Sequence, residues 1–350
     1  MSIELFLLVL AAFFAGLFAW AFRALPQEQW QIIASVPMEK TEGDQWHGLN
    51  LTFYGFFQAA SNTFAVAMFF VLIGALGVKS EAVFALIVIL LAFCWPAAKL
   101  VARAVEKKKH TFTVGGAVFV GALITPWVLE LLNLSLGDQL GTIPVIPAMA
   151  AVAIVYAYGE GMGRLACISF GCCYGKSLEE VSPILRRLFS TFSFRFAGAT
   201  KKAAYEGRLE GVRVVPVQAV TSVVFILIAL AGTYLLLKMY FVAALILTMT
   251  ATQSWRFLSE LLRADVRGKA EKIAVYQVMT LFMVIYASVI GFLFPSYPVQ
   301  VVMITEGLTV LWNPLVLLFC QAVWLAVFFI TGRSNLTGST LSFFVRHDRI

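Results

Sequence analysis

Residues Val217–Leu237, VQAVTSVVFILIALAGTYLLL, carry no charged side chain and no proline. A helix crosses the roughly 30 Å hydrocarbon layer of a bilayer with about 20 apolar residues, so this stretch is read as a transmembrane helix. Similar runs recur at Ile3–Ala21, Thr52–Leu76, Ala82–Ala98, Phe112–Leu132, Ile143–Tyr158, Met239–Ser254, Ile273–Phe294 and Leu308–Thr331. Together they predict an all-α polytopic membrane protein of about nine transmembrane helices. None alternates apolar with polar residues, as the strands of a closed membrane barrel do.

Composition leads to the same class. The 350-residue chain is 61% hydrophobic and only 13% charged, whereas a soluble domain carries about a quarter charged residues. With so little charge, much of the surface must face lipid. The first run opens Met-Ser-Ile-Glu and meets no base before Arg23. A secretory signal opens with positive charge, so this run is expected to be a retained helix. Five cysteines, three of them close together, do not form an extracellular disulfide pattern. Cys94 and Cys320 fall inside hydrophobic runs and read as small apolar side chains.

Nine spans place alternate loops on opposite faces. Of the 26 lysines and arginines, all but Lys79 and Lys238 then fall on one face. Such a bias ordinarily marks the cytoplasm, which taken alone puts the N-terminus outside and the C-terminus inside. The longest polar stretch, 159–215, lies on the basic face. Within it Pro183–Phe196, PILRRLFSTFSFRF, repeats Ile184, Leu188, Phe192 and Phe196 every four residues, with Arg186, Arg187 and Arg195 elsewhere around the turn. That pattern predicts an interfacial helix lying in the membrane plane, with a plain basic loop as the alternative. Lys201–Arg213 mixes charge and glycine and reads as a mobile surface loop. No internal repeat of the kind seen in transporters is visible.

Three constellations can carry chemistry. The first is Gly159–Lys176, GEGMGRLACISFGCCYGK, whose glycines permit turns and close approach. Irregular backbone at a membrane face is tolerated where it lines a polar cavity or is buried in protein. Arg164 follows a hydrophobic helix here, and an ionisable group at that depth points to a site. The second is Gln253–Arg263, QSWRFLSELLR, where Arg256, Glu260 and Arg263 share a helical face. Guanidinium suits phosphate because its planar fork donates two parallel hydrogen bonds. Arg164 and Arg256 belong to one membrane face, so together they predict a clamp for the phosphate of an anionic glycerophospholipid. The third is Thr113–Gly121, TVGGAVFVG, where Gly115 and Gly116 allow close approach of a ligand or of a neighbouring helix. Cys167, Cys172 and Cys173 have no partner pair, and the histidines are only His47, His110 and His347. The pattern falls short of a four-ligand zinc set, so neither metal nor cofactor is expected. A reactive thiol beside Arg164 or Lys176, or a small residue filling a tight turn, are the remaining readings.

In this order the segments resemble the prolipoprotein diacylglyceryl transferase family of bacterial inner-membrane enzymes. Gly163-Arg-Leu-Ala-Cys167 with Gly171-Cys-Cys-Tyr-Gly-Lys176 is similar to that family's signature in a cysteine-containing form. Thr52-Phe-Tyr-Gly55, Val114-Gly-Gly116, Pro216-Val-Gln218 and Arg256-Phe-Leu-Ser-Glu-Leu-Leu-Arg263 add to it. The resemblance covers about 51–294, leaving 1–50 as an extra N-terminal helix and loop and 295–350 as an extra C-terminal helix and tail. It implies transfer of a diacylglyceryl group from phosphatidylglycerol to a prolipoprotein cysteine, with glycerol phosphate leaving. By implication Arg164 and Arg256 bind the phosphate and Glu260 orients Arg256. Tyr54, Gly115, Gly116, Cys167, Cys172, Gly175, Gln218 and Arg263 are implied as substrate-binding positions. The expected surroundings are lipid and a membrane-embedded substrate, not nucleic acid.

The departures fall on the acceptor side. Val114 stands where typical members have a histidine, a candidate thiol base. Cys167 replaces an asparagine, Cys172 a glutamate, Thr252 a tyrosine, and Ala219-Val-Thr221 a Leu-Tyr-Glu run. Glu160 and Glu260 are the candidate bases left. Three function classes follow: a transferase with an altered acceptor, a phospholipid-binding or translocating protein that kept the clamp without turnover, or a thiol-redox protein using the three cysteines. The family's site faces the periplasm, opposite to the charge bias. Either anionic lipid has gathered bases on the outer face, or the chain is inserted the other way up.

Overall fold

A computed structural model describes residues 1–41, 43–101, 114–265, 275–294 and 302–350. The chain forms α1 (Ile3–Ala24), β1 (Ile32–Lys40), β2 (Gln45–Thr52), α2 (Phe53–Gly74), α3 (Ser80–Val101), α4 (Val114–Leu140) and α5 (Val145–Phe170). There follow α6 (Pro183–Leu188), β3 (Phe194–Arg195), α7 (Lys202–Tyr205), β4 (Arg213–Val214), α8 (Val217–Leu237) and α9 (Phe241–Leu262). The chain ends with α10 (Val275–Leu293), α11 (Ile304–Val310), α12 (Pro314–Thr331) and β5 (Arg333–Ser342). The basic run Lys107–Lys109, Thr113 and the predicted helix starts at Phe112 and Ile273 lie outside the described residues.

Seven of the described helices are long and apolar enough to cross a membrane: α1, α2, α3, α4, α5, α8 and α12. The other two expected spans are also helical, as α9 and α10, and residues 266–274 between them lie outside the described residues. α9 loses apolar character because it turns Thr248, Thr252 and Gln253 into the protein. The spanning helices show two environments. α1 buries Phe6, Leu10, Phe14, Phe18 and Ala21 against the bundle, while Leu8, Val9 and Phe13 stay exposed where lipid would lie. A helix apolar on all sides is stable only when no side meets water.

The all-α expectation is corrected too. β1, β2 and β5 form a three-stranded antiparallel sheet, with Leu49 opposite Val36 on one side and Gly338 on the other. It occupies the region expected as a loop after α1 and the tail after α12. The sheet therefore joins the two ends of the chain. β2 runs straight into α2, where the Thr52 hydroxyl accepts from Gly55 N at 3.4 Å and donates to Gly332 O at 3.0 Å. Gly55 lies so close to the Gly332 backbone that no Cβ fits.

Pairing of β2 with β5 places the start of α2 and the end of α12 on one face. On the other face Lys238 pairs with Glu4 at 3.1 Å and Lys79 donates to Gln139 O at 3.3 Å.

α5 is the most enclosed span. It continues well beyond the expected end at Tyr158, so Gly159–Phe170 is helix rather than irregular loop. The glycines act by packing. A Cβ at Gly159 or Gly163 would meet α2 at Ala65 Cβ (3.2 Å) or Ser61 Oγ (3.3 Å). One at Gly161 would meet Ile226 and Phe225 of α8 at 3.1 Å. Small residues four apart let helix backbones approach closely in a membrane. The helix stops at Gly171, whose φ of 73° is left-handed.

The loop after α5 also differs from expectation. Only Pro183–Leu188 of the predicted interfacial helix is helical. Phe194 and Phe196 alternate inward, and β3 pairs with β4. Phe192, Phe194 and Phe196 repeat every two residues, and in this segment that period prevailed over the four-residue one. Most of Lys201–Arg213 lies at the surface, as expected, but Lys201 at its start is fully buried, and its Nζ donates to Leu25 O at 3.1 Å and Ser169 O at 2.6 Å.

Burial pulls the Lys201 ammonium down from 10.5 to about 8. Between those values the unfolded chain holds a proton that the folded protein has lost, so stability rises with pH across that window. The thermal midpoint of the wild-type protein in micelles is expected to rise relative to Lys201→Met from pH 8 to 10.5. A difference that stays constant over that range would contradict this account of the lysine.

Candidate functional site

α5 places Tyr156, Glu160 and Arg164 at four-residue intervals, so all three share one face. α9 brings Arg256 onto that face, where its Nη1 donates to the Tyr156 hydroxyl at 2.9 Å. Arg164 Nη2 is paired with Glu160 Oε1, and the two side chains are only 17% and 9% exposed. Arg256 lies within electrostatic reach of both Glu160 and Arg164. The structure thus brings together the two arginines, although they lie on different helices. Among the described residues Glu160 is in reach of both guanidiniums.

The buried Nε of Arg164 has no hydrogen-bond partner among the described residues. A buried donor left without an acceptor is costly, more so on a charged group. Beside the pair, Arg256 lines a small, shallow depression with Val118, Phe119, Gln253, Met279, Thr280 and Met283. A cationic end and an otherwise largely apolar wall suit an anionic amphiphile.

Arg256 is held by Tyr156, while Glu260 sits 3.5 Å from Arg263. Arg263 also donates from Nε and Nη2 to the two carboxylate oxygens of Asp265, at 2.8 and 2.7 Å. Two carboxylates therefore lie against Arg263. The cysteine turn is fastened alongside it, through Lys176 N to Leu262 O and Ala264 N to Tyr174 O, both 3.0 Å.

The remaining expected positions divide by what they touch. Gly116 packs on α3, where a Cβ would meet Val101 Cβ at 2.5 Å, so helix packing accounts for it; Gly115 lies beside it in the first turn of α4. Gly175 has no room for a Cβ because Val215 O lies against it. Gln218 donates from Nε2 to Cys172 O at 2.8 Å, which holds the turn, while its buried Oε1 has no partner among the described residues. Tyr54 accepts from Gln58 Nε2 at 3.4 Å, stands edge-on to Phe170, and lies beside Cys167, Cys172 and Cys173. The Sγ atoms of those cysteines are all within 4.8 Å of one another.

Tyr156 was not singled out in the sequence. The signal was present in its spacing with Glu160 and Arg164, and it becomes visible once α5 is carried past Tyr158.

Fold and site define a multi-pass helical membrane protein with a paired-arginine centre at one face. Residues 45–293 match prolipoprotein diacylglyceryl transferase, and the chain belongs to that family. No match is found among curated proteins. The matched span opens within β2 and closes at the end of α10, so α1, β1, α12 and β5 lie outside it.

Proposed function

We propose that the protein moves the diacylglyceryl group of phosphatidylglycerol to a thiol, the prolipoprotein cysteine being the first candidate acceptor. The bacterial inner membrane is the setting this family implies. Arg164 and Arg256 grip the lipid phosphate, and apolar lipid surface lies against Phe119, Met279 and Met283 beside Arg256. The acceptor sulfur attacks the glyceryl carbon that carries the phosphate, a C–S bond forms, and the C–O bond breaks. Glycerol phosphate leaves with the bonding electron pair, and the thiol proton is released. Donors fixed in a water-poor site stabilise the charge that builds on the departing phosphate.

The observation that carries this reading is the unpartnered Nε of Arg164 in a buried pair of guanidiniums. A second reading, phospholipid binding or translocation without turnover, is favoured by Val114, which offers no base. Incubation of the full chain in lipid nanodiscs with phosphatidylglycerol labelled in its acyl chains, together with cysteine-bearing lipopeptide precursors, separates the two. The transferase reading expects label on the acceptor and an equal amount of glycerol phosphate. Bound lipid with no label on any thiol would end it and leave the second.

A further inference from the structure

The tightest cluster of reactive side chains outside the arginine pair is made of sulfur. Cys167 lies in the last turn of α5, and Cys172 and Cys173 return beside it after the helix stops, so that the three Sγ atoms sit within 4.8 Å of one another. The spacing in sequence gave no second pair; folding supplies the third sulfur. Thiolates on one zinc ion at about 2.3 Å would stand roughly 3.8 Å apart, so a contraction of about 1 Å or less forms the site.

The backbone is shaped for this return. Gly171 has φ 73° and Cys173 has φ 56°, the latter a left-handed conformation that a residue with a Cβ rarely adopts. Strain of this kind gathers at functional sites. Cys172 N donates to Cys167 O at 3.1 Å, and Gln218 Nε2 holds Cys172 O at 2.8 Å. Arg164 lies near Cys167 and Cys173, and Arg263 near Cys173, so cationic charge faces the sulfurs. Cys167 is buried while Cys172 and Cys173 keep part of their surface open.

Soft thiolates select d10 cations, and three protein ligands with one open position is the pattern of a reactive rather than a structural zinc site. We propose that Cys167, Cys172 and Cys173 hold one thiophilic divalent cation of the zinc type, whose fourth position takes the acceptor thiol as its thiolate. The proposal rests on the transfer reading and supplies what Val114 cannot, removal of the thiol proton. A thiol bound to such a cation is deprotonated at neutral pH, and its proton passes to solvent. The bound sulfur forms the C–S bond, the C–O bond to phosphate breaks, glycerol phosphate leaves with the electron pair, and the thioether dissociates from the metal. Nothing is oxidised or reduced.

The test uses the reduced full chain in detergent, titrated with Co²⁺ and Zn²⁺. One cobalt per chain is expected, with thiolate-to-metal charge-transfer absorption and ligand-field bands of a tetrahedral site. Cys167→Ser, Cys172→Ser or Cys173→Ser should weaken binding by at least about tenfold, whereas Cys94→Ser and Cys320→Ser should not. A cysteine-bearing precursor peptide should shift the cobalt spectrum, and the same peptide with serine should leave it unchanged. No metal uptake by the reduced protein, uptake that survives loss of the three cysteines, or a spectrum indifferent to the thiol peptide would each overturn the proposal. None of these readouts needs turnover. A metal site that responds to thiol in a protein that moves no label would therefore sink the transfer reading alone.

Discussion

Arg164→Ala is expected to lower diacylglyceryl transfer by about 10²–10³-fold, the loss that follows removal of one preorganised donor to developing charge. The side chain supplies a buried Nε that no described residue satisfies and an Nη2 paired with Glu160. Its removal also leaves Glu160, 9% exposed, without that partner. An abandoned buried charge destabilises by about 3–5 kcal/mol, so the single variant confounds folding with chemistry. Combining Arg164→Ala with Glu160→Gln removes the orphaned charge. That double variant is expected to recover thermal stability while transfer stays low. Arg164→Lys keeps the charge but loses the planar fork, and should fall between wild type and alanine. Recovery of activity in the Glu160→Gln background would show that Arg164 serves the fold alone.

Arg256→Ala is the second large effect, with a transfer loss of about 10²-fold or more. Here the fold should suffer less. The hydrogen bond of Arg256 goes to the Tyr156 hydroxyl, and a hydrogen bond from a charged group contributes about 1.5–3 kcal/mol, less than the loss on abandoning a buried charge. The thermal midpoint is therefore expected to move little while lipid affinity and rate both drop. Tyr156→Phe should cost only several-fold, because it frees Arg256 without removing it. A large loss of stability with affinity for phosphatidylglycerol intact would place Arg256 among the packing residues.

The spans were legible because hydropathy is a bulk property: Val217–Leu237 needs no partner to be read as membrane helix. α5 was harder. Its glycines at 159, 161 and 163 look like breakers in water, yet they are the residues that let α5 press against α2 and α8. Reading them as turns ended the helix too soon and hid the face that carries Tyr156, Glu160 and Arg164. The sheet was missed because strands of Ser, Thr and Gly, as in Arg333–Ser342, carry little apolar signal, and β5 pairs with a strand from the opposite end of the chain. Lys201 illustrates the same limit: its burial depends on carbonyls from the ends of α1 and α5, which no local pattern announces. The arginine pair could be placed on one face by counting spans, but its partners could not. The Tyr156 hydroxyl that accepts from Arg256 comes from a helix a hundred residues earlier, and Glu260, one helical turn from Arg256, also reaches Arg263 at 3.5 Å.

The central claim is that Arg164 and Arg256 act on the same phosphate. A double-mutant cycle on phosphatidylglycerol binding, using Arg164→Gln, Arg256→Gln and both together in the full chain, tests it most directly. Each single change is expected to weaken binding by about tenfold or more. The pair together should weaken it by clearly less than the product of the two losses, because contacts to a shared group are coupled. Losses that multiply as if independent, or a single change that leaves affinity untouched, would contradict the account.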